Sequence, residues 1–264
     1  RLVLVAERAL EASRLKREVS ELRSRAGAVD RIVGKSSLIN QLRQVIERVA
    51  PANSRILITG APGSGKELVA RSLHEASSRA GGPFVVINAA TITPENMELE
   101  LFGSEGRDGR RKVGALEEAH GGTLYIDEIA DMPRETQAKI LRVLVDQNFQ
   151  RVDGTTRVHV DVRIISSSSR DLAKLIAEGQ FREELFHRLA VVPIAVPSLA
   201  DRRDDIPELI EFFMEQVSQT TGMPRRKIAP DAMAVLQSHD WPGNIRQLRN
   251  NVERLMILTA GDPE

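Results

Sequence analysis

The sequence predicts an α/β fold, a parallel sheet covered on both faces, followed by a smaller all-helical domain. Three observations predict it. Between residues 30 and 195, short apolar runs alternate with helical stretches, the βαβ pattern of a parallel sheet. A glycine-rich segment, Gly60 to Glu67, lies between one such run and a helix. From Pro197 onward only helical patterns remain, and Pro197, Pro207, Pro224, Pro230 and Pro242 punctuate their starts.

Residues 1–27 read as one helix rich in Ala, Leu, Glu and Arg. Leu15, Val19, Leu22 and Ala26 recur at 4-3-4 spacing, a short apolar seam. That seam suits either a dimerising linker or a plain amphipathic helix packed on its own domain. Strands are expected at 55–59, 84–87, 124–126, 162–165 and 191–196. Their apolar character suits burial on both faces. Helices are expected at 205–219, 231–239 and 244–258, in a domain of about 65 residues. The expected division is a linker helix over 1–29, an α/β domain over 30–196 and a helical domain over 197–264.

With 41% hydrophobic residues, the 264-residue chain has enough apolar surface for real cores. Lys+Arg and Asp+Glu number 37 each, so it does not resemble a globally basic nucleic-acid binder. It has no cysteine, hence no disulfide and no thiolate metal site, which fits a reducing cytoplasm. No apolar run approaches the ~18 residues that span a membrane. The five histidines, at 74, 120, 159, 187 and 239, lack metal-ligand spacing and read as structural or surface residues. The chain starts at Arg1 and stops at Glu264, which reads as a piece of a longer protein.

Chemistry concentrates in two places. Residues 60–67, Gly60-Ala61-Pro62-Gly63-Ser64-Gly65-Lys66-Glu67, fit GxxxxGK, the phosphate-cradling loop of P-loop NTPases. Gly60, Gly63 and Gly65 allow a tight turn that aims backbone N–H groups at anionic oxygens. The helix that follows presents its positive end to the same oxygens, and Lys66 adds a point charge. Glu67 stands where Ser or Thr usually helps to hold magnesium. The bland alternative is a glycine-rich turn with a surface lysine. The second place is Thr123-Leu124-Tyr125-Ile126-Asp127-Glu128, an apolar strand ending in two carboxylates. Asp127 is expected at the carboxyl edge of the sheet, holding Mg²⁺ directly or through water. Glu128 is expected to polarise an attacking water. The alternative is a solvated acidic turn.

Nine stretches then carry a resemblance over most of the chain. They are IVGKS (32–36), GAPGSGKE (60–67), VINAA (86–90), ELFG (100–103), GGTLYIDEIA (121–130), AKILRVL (138–144), DVRII (161–165), FREELFHRL (181–189) and WPGNIRQLRNNVERL (241–255). The chain resembles the AAA+ ATPase domain of bacterial enhancer-binding proteins, the NtrC-like regulators of sigma-54 RNA polymerase, and among these the NtrX-type response regulators. The resemblance implies an AAA+ P-loop NTPase fold with a helical lid, and ATP or ADP with Mg²⁺ as ligands. It adds Ile32 and Val33 to the nucleotide-binding residues. Asn88 matches the asparagine that contacts the catalytic glutamate and switches it. Arg182 and Arg188 match arginines that reach a neighbouring subunit's nucleotide, where a guanidinium stabilises charge on the transferring phosphoryl group. Arg246 matches the lid arginine that senses the γ phosphate. Glu67 is ordinary in this family. Ser168 and Ser169 stand where the family has Thr and Asn, and the shorter serine implies slow or poorly coupled hydrolysis.

The resemblance also implies partners: self-association into a dimer or a hexameric or heptameric ring, a sensor kinase through a receiver domain outside this chain, and DNA through a C-terminal helix-turn-helix. The setting is the bacterial cytoplasm, without a membrane. One departure bears on function. Sigma-54 activators carry a GAFTGA motif after ELFG, whereas residues 104–112 read SEGRDGRRK. That loop is polar, glycine-rich and mildly basic, with no aromatic anchor for a partner. Three functions stay open: an ATP-controlled regulator that does not remodel sigma-54 polymerase, a sigma-54 activator using another contact, and an ATP-binding oligomerisation module with negligible turnover.

Overall fold

The computed structural model describes residues 31–106 and 111–258, so the expected helix at 1–27 lies outside the described residues. In order, the first half comprises α1 (Ser37–Val49), β1 (Ile56–Thr59), α2 (Lys66–Glu75), β2 (Phe84–Asn88), α3 (Pro94–Phe102), β3 (Ser104–Glu105), β4 (Arg111–Lys112), α4 (Ala115–Glu118) and β5 (Thr123–Asp127). Then come α5 (Arg134–Asp146), β6 (Asn148–Gln150), β7 (Arg157–His159), β8 (Arg163–Ser168), α6 (Leu172–Ala177), α7 (Glu183–Leu189) and β9 (Val192–Ala195). The helical part holds α8 (Ile206–Thr221), α9 (Pro230–Ser238) and α10 (Asn244–Leu258).

The five expected strands form one parallel sheet in the order β2-β5-β8-β1-β9. Successive residues of a strand point to opposite faces, and both faces are covered. Leu57, Leu124, Ile126 and Ile164 therefore enter one core, while Ile56, Ile58, Tyr125 and Ile165 enter the other. A third core, built on Leu199, Ile206, Ile210, Trp241 and Leu248, holds the helical part together. Helix starts follow the expected chemistry. Ser36 caps α1, and prolines occupy the first turns of α8 and α9, where a missing N–H costs nothing. Among the described residues, no helix is long and apolar enough to cross a membrane.

The polar loop after ELFG is held at its stems. Its stems pair as the antiparallel β3 and β4, and the second hairpin, β6–β7, packs against them. Glu105 N–H donates to the Val152 carbonyl at 3.0 Å, and Val152 N–H donates to Gly103 at 3.0 Å. Beside this junction, the buried Arg151 forms a fork with Glu117, at 2.7 and 2.9 Å. Arg111 also binds Glu117. Hydrogen bonds from Arg151 hold the Glu117 carboxyl below the ordinary glutamate range, against the opposing push of burial.

Arg151→Met is expected to destabilise the chain by about 3 kcal/mol, since it leaves a mostly buried carboxylate without its main partner. The sign with pH follows from the lowered value. The contribution is present above about pH 4.3, the unfolded glutamate value, and is lost as pH falls through the lower folded value. Denaturant midpoints from pH 7 to pH 3 measure it; parallel pH curves for the two proteins would contradict this account.

Candidate functional site

The chain leaves β1 at the carboxyl edge of the sheet and turns through Gly60–Gly65 into α2. Gly63 and Gly65 have φ of 74° and 102°, the left-handed region where a side chain is strained. At Gly63 a Cβ would also collide with the Gly243 carbonyl oxygen. Lys66, 6% exposed, donates to the carbonyls of Gly60 at 3.1 Å and Ala61 at 3.4 Å. It also pairs with Glu128 at 3.1 Å. Ser64 Oγ is buried within this loop and has no hydrogen-bond partner among the described residues. Glu67 points away to Arg71, at 2.7 Å, one turn along α2.

Asp127 ends β5, in register with Asn88 at the end of β2. Its Oδ1 accepts from Tyr125 at 2.8 Å and Ser167 at 2.5 Å, and its Oδ2 accepts from Asn88 Nδ2 at 3.1 Å. In this structure Asn88 therefore contacts Asp127 rather than Glu128, the expected partner. The register decides this, because it sets the two strand-end side chains opposite each other. Burial pushes the Tyr125 phenol well above its ordinary range, so it donates as a neutral hydroxyl.

Glu128 takes left-handed backbone, φ 52°, and turns its side chain to the cradle. Its Oε2 accepts from both the N–H and the Oγ of Ser169, each at 2.8 Å. Burial pushes its carboxyl pKa up, but the two Ser169 bonds and Lys66 outweigh this and hold it below the ordinary range. Ser169 thus reaches the glutamate despite its short side chain. Ser168 turns instead to the Arg170 carbonyl, at 2.8 Å.

Lys66, Asn88, Asp127 and Glu128 line a cavity of about 440 Å³, ordinary for a small-ligand site. Ile32 and Val33 form its wall on one side, and Leu209, Phe213 and Arg246 face it from the helical part. Two devices fix the helical part to the cavity. Asn244 Nδ2 donates to the Pro62 carbonyl at 3.0 Å, while its Oδ1 accepts from Leu199 N–H at 2.8 Å. Asp205 accepts from the N–H groups of Lys35 and Ser36 and from Ser36 Oγ, at 2.7, 2.8 and 2.6 Å. Arg43 completes the clamp on this segment through the carbonyls of Ile32 and Gly34, at 2.8 and 2.7 Å.

Comparison with known proteins gives this arrangement a family. The sigma-54 interaction domain matches residues 32–195, and the AAA+ ATPase lid domain matches residues 200–263. The chain belongs to the sigma-54 interaction domain family, with a P-loop AAA+ fold and helical lid. It is 65% identical, over its whole length, to the nitrogen assimilation regulatory protein NtrX of Azorhizobium caulinodans, of which it spans 58%. It is 43% identical, over 97% of its length, to the transcriptional regulator NtrC of Azospirillum brasilense, of which it spans 54%. Among solved structures, NtrX from Brucella abortus in complex with ATP matches with a TM-score of 0.90 and 70% identity, over 100% of this chain and 57% of that one.

Not every residue expected from the AAA+ resemblance joins the cavity. Pro62 to Glu67, Asn88, Asp127, Glu128, Ile32, Val33 and Arg246 line it. Gly60 and Ala61 sit behind it and receive Lys66. Arg182 and Arg188 lie outside it, the first capping α7 and bonded through Nε to the Arg134 carbonyl at 3.1 Å. Arg188 is exposed, and its charge, after burial, lowers the pKa of Arg55. Arg55 precedes β1, whereas the cradle follows it, so Arg188 faces away from its own chain's cavity. Asn244, Arg202 and Asp205 were not singled out from the sequence. A buried Asn at φ 52° and the buried Arg202 and Asp205 of the DRRDD turn depend on contacts that no local pattern displays.

Proposed function

We propose that the chain is the ATP-binding central module of a two-component transcription regulator. ATP controls its self-association, and through it the activity of the DNA-bound protein, without remodelling sigma-54 polymerase. The observation that carries the reading is the cavity in which a glycine cradle, Lys66 and Glu128 meet a lid arginine. The partnerless Ser64 Oγ and the inward Lys66 fit a polyphosphate. NtrX of Brucella abortus, 70% identical, has been solved with ATP.

In this reading backbone N–H groups of the glycine turn at 63–67 and Lys66 hold the phosphates, Ile32 and Val33 flank the base, and Arg246 closes over the γ phosphate. Asp127 retains an unused lone pair on Oδ2, which suits a magnesium ion held through water. Magnesium would neutralise phosphate charge. Glu128 orients the attacking water once Lys66 turns to the phosphates, and Asn88 keeps Asp127 in place. Arg182 and Arg188 serve the neighbouring subunit's site. Residues 30–196 form the platform, 197–264 the lid, and 1–29 the link to a receiver domain that a sensor kinase phosphorylates. DNA contact belongs to a helix-turn-helix beyond this chain, and the setting is the bacterial cytoplasm. The paired stems at 104–105 and 111–112 are short and polar, which supports the loss of a sigma-54 grip. A module that holds ATP with negligible turnover is the second reading, favoured by the full engagement of Glu128 by Lys66 and Ser169.

Sedimentation velocity with and without ATP tests the assembly step, and mixing tests the shared sites. Arg188→Ala and Glu128→Gln proteins, each inactive alone, are expected to regain some turnover when mixed, because one intact arginine then meets one intact glutamate. Mixed rings that form but stay inactive at every ratio would contradict sharing.

A further inference from the structure

Of the arginines that line the cavity, Arg202 is the one among its described residues that is buried. Arg202 sits in the turn before α8, in non-helical backbone, and is only 4% exposed. A buried guanidinium has five donors to satisfy, and each one left unpaired loses water without replacement. Its partners are few. Nη1 reaches the Val33 carbonyl at a long 3.5 Å and Asp205 at 4.0 Å. Asp205 makes its close contacts with Lys35 and Ser36 instead. Arg202 Nε is buried with no hydrogen-bond partner among the described residues. Burial lowers its pKa, with Asp205 opposing, but an arginine remains charged.

Arg202 lines the cavity beside Ile32, Val33, Leu209 and Phe213. These apolar walls suit a flat ring, and the polar contacts of Arg202 are with Val33 and Asp205 rather than the 60–67 loop. Resting on the nucleotide reading above, we propose that Arg202 reads the base: its guanidinium donates to a ring nitrogen of the bound purine. A role as a lid clamp accounts for Nη1 alone. It leaves the rest of the guanidinium without a hydrogen bond among the described residues, and a base acceptor would satisfy one of those donors. A site with such a donor rejects a base lacking the acceptor, because the donor is then buried unpaired.

The test uses calorimetry on the whole chain with ATP and its 1-, 3- and 7-deaza analogues, each replacing one ring nitrogen by C–H. Inorganic tripolyphosphate serves as the base-free probe. One analogue is expected to bind about tenfold more weakly than ATP. In Arg202→Met that gap is expected to close, because ATP weakens to the analogue's level while tripolyphosphate binding is unchanged. Equal affinity for ATP and all three analogues in the unaltered protein overturns the proposal, as does a gap that persists in a folded Arg202→Met. If that variant does not fold, Arg202→Gln replaces it, and the unaltered protein's analogue series still decides. Failure of both ATP and tripolyphosphate to bind brings down the nucleotide reading itself, a result distinct from ATP binding with no analogue effect.

Discussion

Lys66→Ala is expected to weaken ATP binding by on the order of 100-fold while the chain stays folded. Two effects add. The charge-assisted hydrogen bonds from Nζ to phosphate oxygens are lost; such bonds contribute about 1.5–3 kcal/mol each. The substitution also removes the cation that faces Glu128 at 3.1 Å, so an unbalanced carboxylate then repels the incoming polyanion. The fold should persist because Lys66 contributes a single residue at the first turn of α2, whose core contacts come from Val69, Ala70 and Leu73. Isothermal calorimetry with circular dichroism as the folding control measures this. Unchanged affinity in a folded variant would sink the assignment of the cradle.

Glu128→Gln is expected to keep ATP bound and to reduce turnover by about 10²- to 10⁴-fold, the usual range for removing a catalytic base. The geometry separates the two effects. Glutamine still accepts from the Ser169 N–H and Oγ, so the strand end keeps its shape. It no longer pairs ionically with Lys66, which is then free for phosphate, so binding should be equal or tighter. Phosphate release and nucleotide titration, run on the same preparations, check both halves. If the unaltered protein shows no turnover even at concentrations where rings form, the enzyme reading fails and the ATP-holding module stands.

Much of this was legible in the sequence because its signals are local. GAPGSGKE declares a turn and a helix start within eight residues, and TLYIDE declares a buried strand with its carboxylates at the end. The five strands and three lid helices follow from apolar runs and from prolines in the same way. What was not legible depends on register and on packing between distant segments. Asn88 meets Asp127 because β2 and β5 pair in that register, and no spacing in either strand shows it. The DRRDD turn reads as surface charge, yet Asp205 is buried against Lys35 and Ser36, about 170 residues away along the chain. Ser169 looked too short to replace an asparagine; the left-handed turn at Glu128 brings the carboxylate to it. The pairing of 104–105 with 111–112 was not legible because these stems are only two residues long.

The central claim is an ATP-gated module that does not grip sigma-54. The most direct test is capture of purified sigma-54 by this protein in ATP, ADP and transition-state-analogue states, with a GAFTGA-containing relative as the positive control. The account predicts no capture in any state, in protein whose ATP binding is intact and whose control relative captures sigma-54 in the analogue state. Capture by this protein in the analogue state would contradict it, and would mean that the shortened hairpin or another surface still engages the sigma factor.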